Sequence, residues 1–157
     1  MVRQAHHERN IAKNVEKDNM TTTNQSNKPL PVLEGMTKEF YEFCRNGELR
    51  FQKCGGCGQW RHVPRLMCSE CGSWEWTWER SSGKGKLFTW TVVERPMHPG
   101  FANDAPYAPA MIELAEGVRM VSWVVDCPPA ELQRDMPVQV TFEKVSDDVT
   151  LPKFKRA

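Results

Sequence analysis

Hydrophobic and polar positions change period twice along this 157-residue chain. Over residues 37–45 the apolar side chains Phe40, Tyr41, Phe43 and Cys44 gather on one helical face, with Lys38, Glu39, Glu42 and Arg45 opposite. Thr37 suits an N-cap and Asn46-Gly47 a stop, so a short helix is predicted there. Its aromatic face either packs on its own domain or is presented to another protein. From Glu48 the period shortens towards two. Residues 48–53 lead as a strand into one cysteine pair, residues 60–66 cross to a second, and Trp74, Trp76 and Trp78 then alternate with Glu75, Thr77 and Glu79. Three tryptophans on one face bury more area than a small ribbon can cover alone, which places them at a seam with the next element.

Beyond Gly83 the pattern is a succession of strands. Residues 86–95 alternate well; residues 110–115 and 118–126 are joined by the turn signal Glu116-Gly117; residues 137–144 and 149–154 flank a second turn at 146–148. Between the third and fourth of these strands, Pro129 and the run Ala-Glu-Leu-Gln predict one short helix within residues 128–134. Five strands with a helix between the third and fourth is the order of an OB-fold barrel. The predicted fold is mainly β: an N-terminal helix, a rubredoxin-like zinc ribbon and a five-stranded OB-fold barrel. The expected divisions are a mobile tail at 1–31, a helical segment at 32–47, the ribbon at 48–82 and the OB-fold at 83–157.

The strongest chemical signal lies inside the ribbon. Cys54 and Cys57 precede Gly58, and Cys68 and Cys71 precede Gly72, giving two C-x-x-C-G knuckles. Two knuckles face to face supply four thiolates, the full tetrahedral set of a structural zinc ion. The glycine leaving each knuckle provides the positive φ that such a turn demands. Two disulfides or a redox iron are the alternatives for the same residues, but cysteines so close in a tight turn make poor disulfide partners. A closed set of four thiolates has no open coordination position, so it stabilises the fold and activates no water.

Composition narrows the function classes. With 21 basic and 20 acidic residues the net charge is +1, which argues against a chain built mainly to grip nucleic acid. No apolar run approaches a membrane span and no signal peptide is visible, so a reducing cytoplasm is the expected compartment. Residues 1–31 mix charge and amide without an apolar face; His6 and His7 there are expected to be solvated. Cys44 and Cys127 lie outside the knuckles and are expected to be small buried hydrophobes.

The strings FYEFCRNGELRFQKCGGCG, PRLMCSECGS, FTWTVVERPMHPGF, APYAPAMIEL and MPVQVTFEKVSDDVTLPKF, in this order from about Phe40 to the C-terminus, carry a family resemblance. The chain resembles the acyl-CoA-associated proteins that join a rubredoxin-like zinc ribbon to an OB-fold. Cys54, Cys57, Cys68 and Cys71 match that family's zinc ligands position by position. The resemblance implies a non-catalytic accessory subunit of a thiolase-like acyl-CoA enzyme, supporting C–C bond cleavage or formation. Partners of that kind include acyl-CoA thiolases, archaeal acyl-CoA synthase assemblies, steroid side-chain retro-aldolases and the thiolase that cleaves benzoylsuccinyl-CoA in anaerobic aromatic degradation. It further implies a coenzyme A thioester as a ligand shared with the partner.

Residues 95–109 form a long loop with four prolines that displays Arg95, Met97, His98, Phe101 and Tyr107. Phe101 and Tyr107 are expected to anchor on the partner near its acyl-CoA entrance, with His98 and Arg95 making polar or phosphate contacts. A plain cap on the barrel mouth is the competing reading of the same residues. The basic end at Lys153, Lys155 and Arg156 is a weaker candidate for a phosphate contact. The rival function is single-stranded nucleic-acid binding, from Lys53, Arg61, Arg65, Arg80, Lys84 and Lys86 with tryptophans to stack on bases; Glu70, Glu75 and Glu79 interrupt that patch.

Overall fold

The computed structural model describes residues 28–157, so the readings of His6, His7 and the rest of residues 1–27 lie outside the described residues. Helix α1 spans Gly35–Arg45 and starts two residues before the expected cap. The carbonyl of Glu34 accepts from the amides of Thr37 and Lys38, at 3.1 and 3.3 Å, which puts Thr37 inside the first turn. The stop is as predicted: Gly47 adopts φ +74, its amide donates to the Cys44 carbonyl and that of Glu48 to the Phe43 carbonyl.

Strand β1 (Arg50–Cys54) is the centre of a three-stranded antiparallel ribbon, with β2 (Trp60–Arg61) on one side and β3 (Trp76–Arg80) on the other. Trp74 falls outside β3 and is 67 % exposed, so only Trp76 and Trp78 share the strand. The seam they make is with the helix rather than with the barrel: Trp78 meets Phe43 edge to face at 5.5 Å, and its indole N–H donates to Glu39 at 2.7 Å.

The second unit is a curled five-stranded antiparallel sheet made of β4 (Lys84–Trp90), β5 (Pro109–Leu114), β6 (Arg119–Trp123), β7 (Pro137–Lys144) and β8 (Thr150–Arg156). Its spatial order is β6-β5-β4-β7-β8. A parallel bridge between Val124 and Phe154 draws the end of β6 towards β8 and curls the sheet into a half-barrel. Strand β4 carries a bulge between Leu87 and Thr89 and ends at Trp90 rather than residue 95; beyond it the pairing thins to the Thr91 amide on the Pro109 carbonyl and a bridge of Val93 with Tyr107. Asp126 at φ 60 lies beyond the end of β6, and the helix expected at 128–134 is a single 3-10 turn, Pro129–Glu131.

One hydrophobic core runs through all three parts. Phe40 and Cys44 of α1, Leu49 and Phe51 of the ribbon, and Leu87, Ile112, Val138 and Phe154 of the sheet form one buried cluster. The helix therefore packs on its own chain through Phe40 and Cys44. Ribbon and sheet join at Gly83, where φ is +68 and a Cβ would come within 2.2 Å of a Val140 methyl. Gly83→Ala should cost about 2–4 kcal/mol from the strained φ and the overpacking together, read as a lower urea midpoint; an unchanged midpoint would refute this account of the junction.

Candidate functional site

The two knuckles meet at the open end of the ribbon. The sulfurs of Cys54, Cys57, Cys68 and Cys71 all lie within 4.8 Å of one another, with Cys54–Cys71 at 3.6 Å and Cys57–Cys68 at 3.7 Å. Metal–sulfur bonds of about 2.3 Å in a tetrahedron require sulfurs roughly 3.8 Å apart, so this cage fits a metal ion. The two turns are built alike: Gly58 and Gly72 both sit at φ +73, and their amides donate to the Cys54 and Cys68 carbonyls at 3.0 Å. The amide of Cys57 foremost, with that of Gly56, pulls the Cys54 thiol down to about 6. The amides of Cys71 and Glu70 lower Cys68 in the same way. Such N–H groups stabilise thiolates and set them up as ligands. Gly56 has no room for a side chain, since a Cβ would meet Ser73 at 2.9 Å and the Cys71 sulfur at 3.3 Å.

A buried polar network fastens the segment between the knuckles. Gln52 on β1 is fully buried; its carbonyl oxygen accepts from Arg61 Nε and from the Arg65 amide, both at 2.9 Å, and its amide donates to the Met36 sulfur at 3.2 Å. His62 follows on, wedged between the rings of Phe40 at 5.2 Å and Phe51 at 5.4 Å. Nothing in the spacing of residues 48–53 singled out Gln52.

Across the helix from the ribbon, the long loop does not project freely. Phe101 stacks on Tyr107 at 5.7 Å, and Tyr107 stacks on Trp123 of β6 at 4.9 Å. Lys153 of β8 places its ammonium 3.9 Å from the centre of the Trp123 ring, and Lys28 lies over Phe101 at 5.6 Å. His98 is exposed; its Nδ1 accepts the Gly100 amide at 3.1 Å and starts the 3-10 turn Pro99–Asp104, while its ring meets Phe101 at 6.0 Å. Arg95 is exposed and stands apart from this stack, and Met97 is fully exposed. Phe101, Trp123 and Lys153 help to line a cavity of about 530 Å³, closed on its other sides by α1 and the 62–64 turn of the ribbon. Trp123 was legible as a strand residue only.

The two described cysteines outside the cage sit in different surroundings. Burial pushes the Cys44 thiol up to about 12. Cys127 is half-buried rather than buried, and its sulfur accepts from Arg156 at 2.9 Å. Of the basic residues of the rival reading, Arg61 is buried with its Nε on Gln52, Lys86 pairs with Asp135 and Glu113, and Arg80 lies 3.7 Å from Glu48.

Two family models together cover most of the folded part. The model described as "ChsH2, rubredoxin-like zinc ribbon domain" matches residues 42–77, and "ChsH2, C-terminal OB-fold domain" matches residues 78–143. A "DUF35 domain-containing scaffold protein" of Methanocaldococcus jannaschii is 35 % identical over 97 residues, 61 % of this chain and 68 % of that protein. The chain belongs to the ChsH2-type DUF35 family. Another relative, from Thermomonospora curvata, is named "Probable enoyl-CoA hydratase alpha subunit" and is 32 % identical over 130 residues. That match takes in 83 % of this chain but only 40 % of the relative's own length. Among solved structures, the "Ltp2-ChsH2(DUF35) aldolase" superposes with a TM-score of 0.73 and 31 % identity, covering 81 % of this chain and 98 % of that one. No helix among the described residues is long and apolar enough to cross a membrane.

The half-buried imidazole of His62, wedged between two rings, gives this DUF35 chain a pH signature. Burial pushes His62 down to about 4 from its ordinary 6.5, so the folded state holds it neutral while the unfolded chain protonates it. Stability from this group is complete above pH 6.5 and is lost as pH falls towards 4, reaching roughly 2 kcal/mol at pH 5. Urea midpoints of the native chain should fall from pH 7 to pH 5, and His62→Leu should flatten that part of the slope. Parallel curves for the two proteins would show that His62 does not titrate in this way.

Proposed function

We propose that this chain is a non-catalytic accessory subunit that binds a thiolase-like acyl-CoA enzyme and supports its C–C bond cleavage or formation. The observation that carries the reading is the paired match: ribbon and OB modules in the same order as in the ChsH2(DUF35) chain of an aldolase, over nearly all of that chain. The name scaffold protein among its relatives supports the same role. In this reading the units are the helical segment at 32–47, the ribbon at 48–82 and the OB-fold at 83–157, in a cytoplasmic complex. Aromatic acyl-CoA thiolysis is one reaction the partner would serve.

Cys54, Cys57, Cys68 and Cys71 would hold Zn²⁺, for which the sulfur spacing is right. Bound there, zinc supplies a cross-link and no open coordination position. The chain's own work is to hold a surface. Phe101 and Tyr107, stiffened by stacking on Trp123, present aromatic area at low ordering cost, with His98 and Arg95 at the exposed edge for polar contact with the partner or with the CoA thioester.

The deciding experiment is isolation of the native protein with its neighbours. A larger thiolase-like chain should co-purify; a hydratase chain in its place would replace the partner class, and a lone protein that shifts single-stranded DNA in a salt-dependent way would favour the nucleic-acid reading. Phe101→Ala with Tyr107→Ala should weaken assembly by about tenfold or more, given the usual cost of truncating aromatic anchors. Unchanged affinity and turnover would remove the loop from the interface. Chelating the zinc should unfold the ribbon, seen as loss of tryptophan near-UV dichroism, and abolish assembly. Zinc-free protein that still assembled and supported full turnover would remove the metal from the account.

A further inference from the structure

The ribbon has one unpaired strand edge, and its hydrogen-bonding groups can be assigned residue by residue. Alternate residues of an antiparallel strand turn their N–H and C=O groups to opposite sides. Just before β3 the Glu75 carbonyl accepts from the Gly55 amide at 2.8 Å, and just after it the Ser81 amide donates to the Leu49 carbonyl at 2.8 Å. Thr77 and Glu79 lie between these two in the same register, so they also face β1. Trp76, Trp78 and Arg80 therefore turn their backbone groups outward, where among the described residues no strand meets them.

The other edges differ. Strand β2 has two residues and offers little to pair with. The two edges of the curled sheet turn towards each other: Val124 bridges Phe154, the Val125 amide donates to the Phe154 carbonyl at 2.6 Å, and the Ser122 hydroxyl donates to the Pro152 carbonyl at 2.7 Å. Strand β3 is paired with β1 in an unbroken register and holds neither proline nor bulge, two of the devices that blunt a free edge.

The side chains on β3 decide what that edge accepts. Outward-facing residues pair only with outward-facing ones, so the symmetric antiparallel pairing that engages the whole strand is centred on Trp78. It sets Trp76 opposite Arg80 of a second copy, Trp78 opposite Trp78, and Thr77 opposite Glu79. These are a guanidinium on an indole, ring on ring, and a hydroxyl on a carboxylate, and no like charges meet. A slip of two residues one way would set Arg80 against Arg80, and a slip the other way would leave Glu79 and Arg80 outside the pairing. The Arg80 side chain is 67 % exposed and can reach across.

We propose that β3 pairs with β3 of a second copy of this chain, antiparallel and centred on Trp78, joining two ribbons into one continuous sheet. The contact is isologous and closes after two copies. Neither the loop that carries Phe101 nor an enzyme partner takes part in it.

The test uses the zinc-loaded full chain. Sedimentation equilibrium across about a hundredfold range of micromolar concentrations should show a reversible dimer, as a short edge of this size gives. Amide exchange followed by NMR should find Thr77 and Glu79 protected at every concentration, and Trp76, Trp78 and Arg80 protected only where the dimer is populated. Thr77→Glu lies opposite Lys53 within the ribbon but opposite Glu79 across the axis, so it should leave the monomer folded and weaken association about fivefold or more. Adding Glu79→Lys to it should restore association. A monomer at every concentration, a dimer whose Trp76, Trp78 and Arg80 amides exchange as they do in dilute solution, or a double variant that fails to recover would overturn the proposal. So would protection of the same three amides by an enzyme partner in a complex that holds a single copy of this chain, since the edge would then belong to that partner.

Discussion

Strand β1 carries the constraint on which the rest of the molecule depends, because it ties a metal-binding knuckle and a hydrophobic core into one five-residue segment. Phe51 is fully buried among residues of the helix and the curled sheet, and Cys54, three positions on, belongs to the four-sulfur cage. Alternation along the strand puts these two on opposite faces. A ribbon of this size has too little apolar surface to fold on its own strength, and cross-linking by a metal is one of the few remedies available to it. Here the remedy is shared: one face of β1 is held by burial and the other by the cage and by Gln52.

From that strand the positions of the surrounding surfaces follow. Gln52 fixes Arg61 and Arg65, which sets the path of the crossing segment and wedges His62 against Phe40 and Phe51. The same helix that packs Phe40 and Cys44 inward holds Phe43 against Trp78 on the ribbon, so α1 is clamped between the two modules. The cavity is what remains between three elements whose separations have already been set. It is a product of the scaffold rather than of any local motif.

This explains what could and could not be read from the residues. The knuckles were legible because cysteine spacing and the glycine after each pair encode a local geometry that needs no tertiary information. The strand order of the sheet was legible because five alternating runs separated by turn signals leave few topologies. Trp74 was misplaced in the strand because alternation continues past the point where pairing stops: the register with β1 ends at Cys54 opposite Trp76. The N-cap was misplaced because the carbonyl of Glu34 starts the helix with no side-chain cap, and a backbone acceptor leaves no mark in sequence. Gln52 and Trp123 were invisible as site residues for a related reason. Each takes its importance from groups far away in the chain, Met36 and Arg61 for the one and Tyr107 and Lys153 for the other.

The distribution of polar chemistry also bears on what kind of function such a body can have. Turnover needs a nucleophile or acid–base pair that converges on a common point and stays available. The sulfurs of the cage converge but only on one another, the Cys44 thiol is kept protonated by burial, and Cys127 lies at the sheet edge against Arg156. Gln52, Arg61, Lys28 and Lys153 are engaged in holding elements together. Aromatic and apolar surface is left on the cavity walls and on the loop that carries Phe101 and Tyr107. Surface of that kind, fixed in place by stacking, loses little entropy when it is covered, which suits it to recognition. A closed metal cage and a shared core are the means by which a chain this short keeps such a surface rigid.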